Sequence, residues 1–171
     1  MNKLLSRRQL GGLLAAGLAA RPALAGGLAT PQEAPILTIS GRITVHNDGD
    51  MARFDRPMLE ALGTRSFVTR TPWYKGLVRF DGVPMHTLLR AVGASGERVI
   101  ALALNDYSTE IPTADFERYD VLLALKRDGE YMPVRDKGPL FIVYPFDSSP
   151  ELQAQKFYNR SAWQLAQLVV G

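Results

Sequence analysis

The chain contains no cysteine. That absence excludes disulfides, cysteine-ligated zinc, iron–sulfur clusters and thiolate nucleophiles. Histidine is almost as scarce: His46 and His86 are the only two, they are far apart, and neither belongs to a metal-ligand or triad motif. A glycine-rich phosphate loop is also missing, because the Gly-Gly pairs at 11–12 and 26–27 fall in the N-terminal segment and the leader behind it. No long apolar run is present either. Leu10 to Ala20 is the longest and falls short of the roughly 20 residues that a membrane span requires.

That short run instead completes an export signal. Lys3, Arg7 and Arg8 precede it without an acid, and Ala23-Leu24-Ala25 supplies a small-x-small cleavage site. Residues 1–25 therefore read as a signal peptide, 26–35 as a flexible leader and 36–171 as one domain. Ser6-Arg7-Arg8-Gln9-Leu10-Gly11 resembles the twin-arginine export signal used by proteins that fold before export. The expected location is the periplasm. Losing Lys3, Arg7, Arg8 and Arg21 reduces 20 basic residues to 16 against an unchanged 17 acids, a net charge of −1. A nucleic-acid partner then lacks the sustained basic surface that phosphate binding needs.

The domain itself reads as α+β and β-rich, a mixed sheet with short helices. Strands are expected over Ile36–Val45 with a kink at Gly41, Ser66–Thr69, Leu77–Phe80, Arg98–Leu104, Val121–Leu125, Glu130–Val134, Leu140–Pro145 and Ala162–Val170. Asp55 is placed to cap a short helix with Pro57 in its first turn and Gly63 at its end. Asp81-Gly82 reads as a tight turn and Pro84 as the start of a second helix ending at Gly93. Thr113 caps a helical turn, and Glu151–Tyr158 is a further helix.

Three loops concentrate polar and aromatic groups: Thr69–Lys75, Asn105–Glu110 and Tyr131–Lys137. Brought together, they would hold Trp73, Tyr74, Tyr107 and Tyr131 beside Arg70, Asn105, Asp106, Arg135, Asp136 and Lys137. Such a set suits a flat, polar heteroaromatic ligand, with aromatic faces to stack on it and carboxylates and guanidiniums to meet its edge. Taken singly, each residue has a plainer role. Trp73 and Tyr107 can cap a core, Asp106 can form a turn, and Arg135-Asp136-Lys137 can be a solvated loop.

An ordered set of segments resembles the sulfite-oxidase-type oxidoreductase molybdopterin-binding domain in a short, stand-alone, exported form. It comprises Leu37-Thr38-Ile39-Ser40-Gly41, then Trp73 with Phe80-Asp81-Gly82-Val83-Pro84-Met85 and Leu88-Leu89, then Leu104-Asn105-Asp106-Tyr107 with Ile111-Pro112. Leu122-Leu123-Ala124 with Asp128-Gly129, Gly138-Pro139-Leu140 with Tyr144-Pro145, and Trp163 complete it. In catalytic members a cysteine in the region of Thr69–Trp73 ligates molybdenum, and threonine does not replace a thiolate as a soft ligand.

The resemblance thus implies a non-catalytic pterin-binding protein whose ligand is a pterin, oxidised or reduced, ahead of molybdopterin. It also implies a partner: the periplasmic domain of a membrane-bound enzyme that makes or degrades cyclic di-GMP. A molybdopterin-dependent oxidoreductase and an interaction domain with an empty pocket stand as alternatives.

Overall fold

Asp55 shows how local chemistry sets the frame. Its carboxylate accepts the backbone N–H of Met58 at 2.9 Å and so caps helix α1 (Arg56–Ala61), with Pro57 in the first turn as expected. The same buried carboxylate accepts from the N–H groups of Gln32 at 2.7 Å and Glu33 at 3.0 Å. The computed structural model describes residues 27–171, so the expected signal at 1–25 lies outside the described residues. Residues 27–35 form no helix or strand, yet Asp55 grips them at one point and Asn47, donating to the Ala29 carbonyl at 2.7 Å, at another.

Among the described residues, ten strands form two five-stranded sheets. The first is mixed, in the order β2 (Ala52–Phe54), β1 (Leu37–Gly41), β10 (Leu165–Val170), β5 (Arg98–Ala103), β6 (Ser108–Pro112). Its β1–β10 pair is parallel and the rest antiparallel. The second is antiparallel, in the order β3 (Arg65–Thr71), β4 (Tyr74–Pro84), β7 (Leu122–Arg127), β8 (Glu130–Tyr131), with β9 (Phe141–Val143) also on β7. Three more short helices, α2 (Met85–Ala91), α3 (Thr113–Arg118) and α4 (Gln155–Arg160), complete an α+β domain. One apolar core draws on both sheets, including Ile39, Phe54, Phe80, Leu88, Leu123, Phe141 and Leu168.

Several expected boundaries move. The first strand stops at Gly41 rather than Val45: Gly41 has φ +88°, and a Cβ there would meet the Val170 backbone. Asp81-Gly82 is not a turn, because β4 continues through it, with a shift of register against β7 between the two residues. Gly82 is needed for close approach instead, since a Cβ would collide with the Leu123 carbonyl and the Ala124 backbone of β7. Pro84 is the residue before helix α2 rather than its first residue. The loop expected over Asn105–Glu110 becomes strand β6 from Ser108, and β2 is an additional strand; β6 is largely polar and β2 only three residues long, which leaves little period-2 signal in either. Residues 150–153 are a 3-10 turn ahead of α4, so the last helix starts and ends later than expected.

Candidate functional site

The bend between β3 and β4 is built by Thr71, whose Oγ1 accepts the N–H groups of Trp73 at 3.3 Å and Tyr74 at 3.2 Å. It delivers a half-buried Trp73 to an aromatic cluster. Trp73 meets Phe141, Phe146, Tyr158 and Trp163 edge to face, with centroids 5.4, 6.0, 6.1 and 5.3 Å away. Trp163 arrives just before β10, where Phe141 forms a bridge with it. Tyr107, from the turn after β5, lies 6° from parallel to Trp163 with centroids 6.5 Å apart. Between these elements runs a cleft of about 410 Å³ lined by Pro72, Trp73, Tyr107, Gln155, Tyr158, Asn159, Ser161 and Trp163.

Two of the cleft's polar groups come from one face of α4. Gln155 and Asn159 sit four residues apart, and the Gln155 amide donates to Asn159 Oδ1 at 2.8 Å. The Tyr107 hydroxyl donates to the Asn159 backbone carbonyl at 2.6 Å. Asn105 Oδ1 accepts the Tyr107 N–H at 3.2 Å, and Asp106 takes φ +63° at the head of that turn. Asp106 itself is exposed and is not among the lining groups.

Beside the cleft stands a charged ladder. Arg127 pairs with Asp136 and lies 4.5 Å from the Tyr74 ring centroid, while the Tyr74 hydroxyl donates to Asp136 at 3.2 Å. Lys137 Nζ lies 5.8 Å from the Tyr74 centroid and 4.1 Å from that of Trp163. Burial works against the Asp136 charge, but hydrogen bonding and attraction from Arg127 outweigh it and hold its pKa below the ordinary carboxylate value. Burial pushes the Tyr74 phenol up despite Arg127, and burial lowers the Lys137 ammonium, with Asp136 opposing and Arg127 reinforcing.

Not every expected residue converges on the cleft. Trp73 and Tyr107 line it, with Asn105 and Asp106 shaping the Tyr107 turn; Tyr74 and Asp136 belong to the ladder. Arg70 is exposed on β3, its backbone N–H and guanidinium both directed at Asp147. Arg135 is exposed in the 134–136 turn. Tyr131 belongs to a different place: its hydroxyl donates to Glu60 at 2.6 Å, and Arg56 and Lys126 lie 4.3 and 4.4 Å from its ring centroid.

Near Glu60 lies a polar cavity of about 500 Å³, lined by Glu60, Thr64, Arg79, Asp81, Leu125, Lys126 and Gly129. Its charges are already matched, Arg79 with Asp81 and Lys126 with Glu60, and it offers no aromatic face among its lining residues. It is larger than the aromatic cleft but poorer in recognition chemistry. Gln155, Tyr158, Asn159 and Trp163 were not among the expected site residues. The 155, 158, 159 spacing, which shares one helical face, was the signal available for three of them.

Thr69 occupies the region where a metal-ligating cysteine would fall. It is fully buried, and its Oγ1 accepts the Asp147 N–H at 3.0 Å and donates to the Arg70 carbonyl at 3.3 Å. Its hydroxyl is therefore committed to holding the 146–148 turn against β3. Among the described residues no three His, Cys, Asp or Glu side chains gather closely enough to hold a metal ion.

The family model of the oxidoreductase molybdopterin binding domain matches residues 52–147. No curated protein matches the chain.

Proposed function

The chain belongs to the oxidoreductase molybdopterin binding domain family, and on that premise we propose that it is a periplasmic, non-catalytic pterin-binding protein that reports its ligand state to a membrane-bound enzyme of cyclic di-GMP metabolism. The observation that carries the binding part is the near-parallel Tyr107 and Trp163 pair on the wall of an aromatic cleft. Flat bicyclic rings gain most from such faces, and the Gln155 and Asn159 amides offer both donors and acceptors to the edge of a pyrimidinone.

The metal half of the family's cofactor does not fit. With no cysteine anywhere in the chain and Thr69 buried and hydrogen-bonded, this chain supplies no thiolate ligand. The pterin half fits the cleft. The residues of this chain would bind and orient a pterin, through Trp163 and Tyr107 on its faces and Gln155 and Asn159 at its edge.

Export rests on the Arg7-Arg8 leader with Ala23-Leu24-Ala25. Among the described residues no helix is long and apolar enough to cross a membrane, which suits a reporter that acts on a separate membrane partner. Signalling requires the partner to distinguish bound from free forms, because a ligand without differential effect shifts no equilibrium.

The test is to purify the exported chain from its own periplasm, denature it, and analyse released small molecules by mass spectrometry and fluorescence alongside elemental molybdenum. A pterin without molybdenum is the expected result. Stoichiometric molybdenum would overturn the reading in favour of a redox enzyme with a different ligand set.

A further inference from the structure

We infer that the free edge of β3 docks an extended, acidic segment of another protein, which joins the antiparallel sheet as an added strand and seats an apolar side chain in the groove alongside; this stands whatever the aromatic cleft binds. β3 ends its sheet, with β4 on one side and no strand on the other among the described residues. Its register shows which backbone groups face outward. Val68 stands opposite Arg79, whose own N–H and carbonyl turn the other way, to the Asp128 carboxylate at 3.0 Å and the Asp128 N–H at 2.8 Å. The backbone groups of Val68 therefore point away from β4, and by the two-residue repeat so do those of Ser66 and Arg70. The Arg70 N–H is capped by Asp147 at 2.8 Å. Among the described residues no such cap reaches Ser66 or Val68, and their N–H and carbonyl groups stand in line for another backbone.

Both faces of this edge suit the side chains that an added strand would carry. Phe67, opposite the buried Phe80, turns to the core face, where a groove of about 360 Å³ runs beside β3 with Phe67, Pro84, Tyr119, Leu122 and Pro145 as its apolar lining. On the solvent face, Val68 and Leu77 are 54% and 59% exposed and lie diagonal to one another across β3 and β4. A strand presents its side chains alternately to two faces, so one extended segment meets both apolar areas at once.

Charge distinguishes the occupant. β3 carries Arg65 and Arg70 and no acid, so two copies of this chain joined along it would set arginines from both strands together with no carboxylate on either, an unfavourable cross-strand arrangement. Arg70 has Asp147 at 3.5 Å, whereas Arg65 lines the groove and forms no ion pair within 4.0 Å among the described residues. Asp120 is the one carboxylate in the groove lining, and Arg118 there is paired with Glu151 at 3.0 Å. The segment that fits has acids beside the arginines of the strand and an apolar side chain in the groove.

The test begins with amide exchange by nuclear magnetic resonance on the purified full chain. The Ser66 and Val68 amides are expected to exchange fast and those of Phe67 and Thr69 slowly; equal protection of all four in the monomer would overturn the inference, because the edge would already be paired. A library of random nonapeptides displayed on phage is then selected on the full chain. Enrichment of sequences that alternate apolar and other residues and carry acids is expected, and absence of that pattern would overturn the inference. The leading peptide, synthesised, should protect the Ser66 and Val68 amides. Val68→Pro, which removes an outward donor that β4 does not use, should weaken it about two- to tenfold, the scale of one hydrogen bond. Methylating alternate amide nitrogens of the peptide should do the same on the wild-type chain, with no variant to fold. Affinity unchanged by both would overturn strand addition. A concentration-dependent dimer that Val68→Pro abolishes would overturn the choice of occupant and assign the edge to a second copy. None of these outcomes bears on the pterin reading.

Discussion

The Tyr107 hydroxyl donates to the backbone carbonyl of Asn159 at 2.6 Å, tying the turn after β5 to α4 across the cleft. The same ring lies parallel to Trp163, so one side chain serves both as latch and as aromatic face.

Two substitutions separate these roles. Tyr107→Phe removes only the latch and should cost about 0.5–1.5 kcal/mol or less at this exposed site, with faster amide exchange over 104–107. Tyr107→Ala also removes the face, and pterin affinity should fall by about 1–3 kcal/mol if the ring behaves as in base–aromatic stacking. Hydrogen exchange and ligand titration of both variants make the comparison.

Asp55 should make the domain acid-sensitive. Burial opposes its charge, but hydrogen bonds from the backbone of Glu33, Met58 and Gln32 outweigh that and hold its folded pKa below the ordinary value. A depressed folded pKa gives stability that is fully present above about pH 4 and is lost as pH falls through the folded value. Melting temperature against pH should therefore drop less steeply below about pH 4 in Asp55→Asn than in the wild type. Asp55→Ala should lose about 1–2 kcal/mol through the helix cap alone at neutral pH.

Asp115 joins α3 to α4 and to the chain after β9, accepting from the buried Tyr144 hydroxyl and from Arg160, each at 2.8 Å. Burial, then Asp115, push the Tyr144 phenol far above its ordinary pKa, so it remains a donor at all working pH. Asp115→Ala strands both partners and should cost about 3–5 kcal/mol in urea unfolding, whereas Tyr144→Phe removes one bond and should cost nearer 1.

Gly82→Ala should destabilise by about 1–3 kcal/mol through forced separation of β4 from β7. Gly49 offers a control, because no atom lies within 4 Å of a Cβ there and only its φ of +59° resists alanine. Thermal unfolding of the two variants distinguishes crowding from backbone strain, and a Gly82→Ala loss no larger than that of Gly49→Ala would contradict the close-approach account.

Where one residue type had one strong local use, the sequence was readable. Asp55 before Arg56-Pro57 announced a cap, and the alternation in Leu37–Gly41 announced a half-buried strand. Asp81-Gly82 misled because glycine serves turns and close strand approach equally well, and only β7, far away in sequence, decides between them. The site was readable in part for a similar reason. Trp73 and Tyr107 stood out as loop aromatics, but the convergence of Trp163 and the α4 amides depends on long-range pairing of Phe141 with Trp163. Tyr131 has the same local features as Tyr107, and β8 places it beside Glu60 instead.

That pairing has a mechanical consequence. Residue 141 is matched to Ala124 of β7 on one side and to Trp163 on the other, and two residues after Trp163 the chain enters β10, the middle strand of the mixed sheet. The tryptophan at the cleft wall is thus mounted on the spine where the two sheets are bound together, as pages are at a book's hinge.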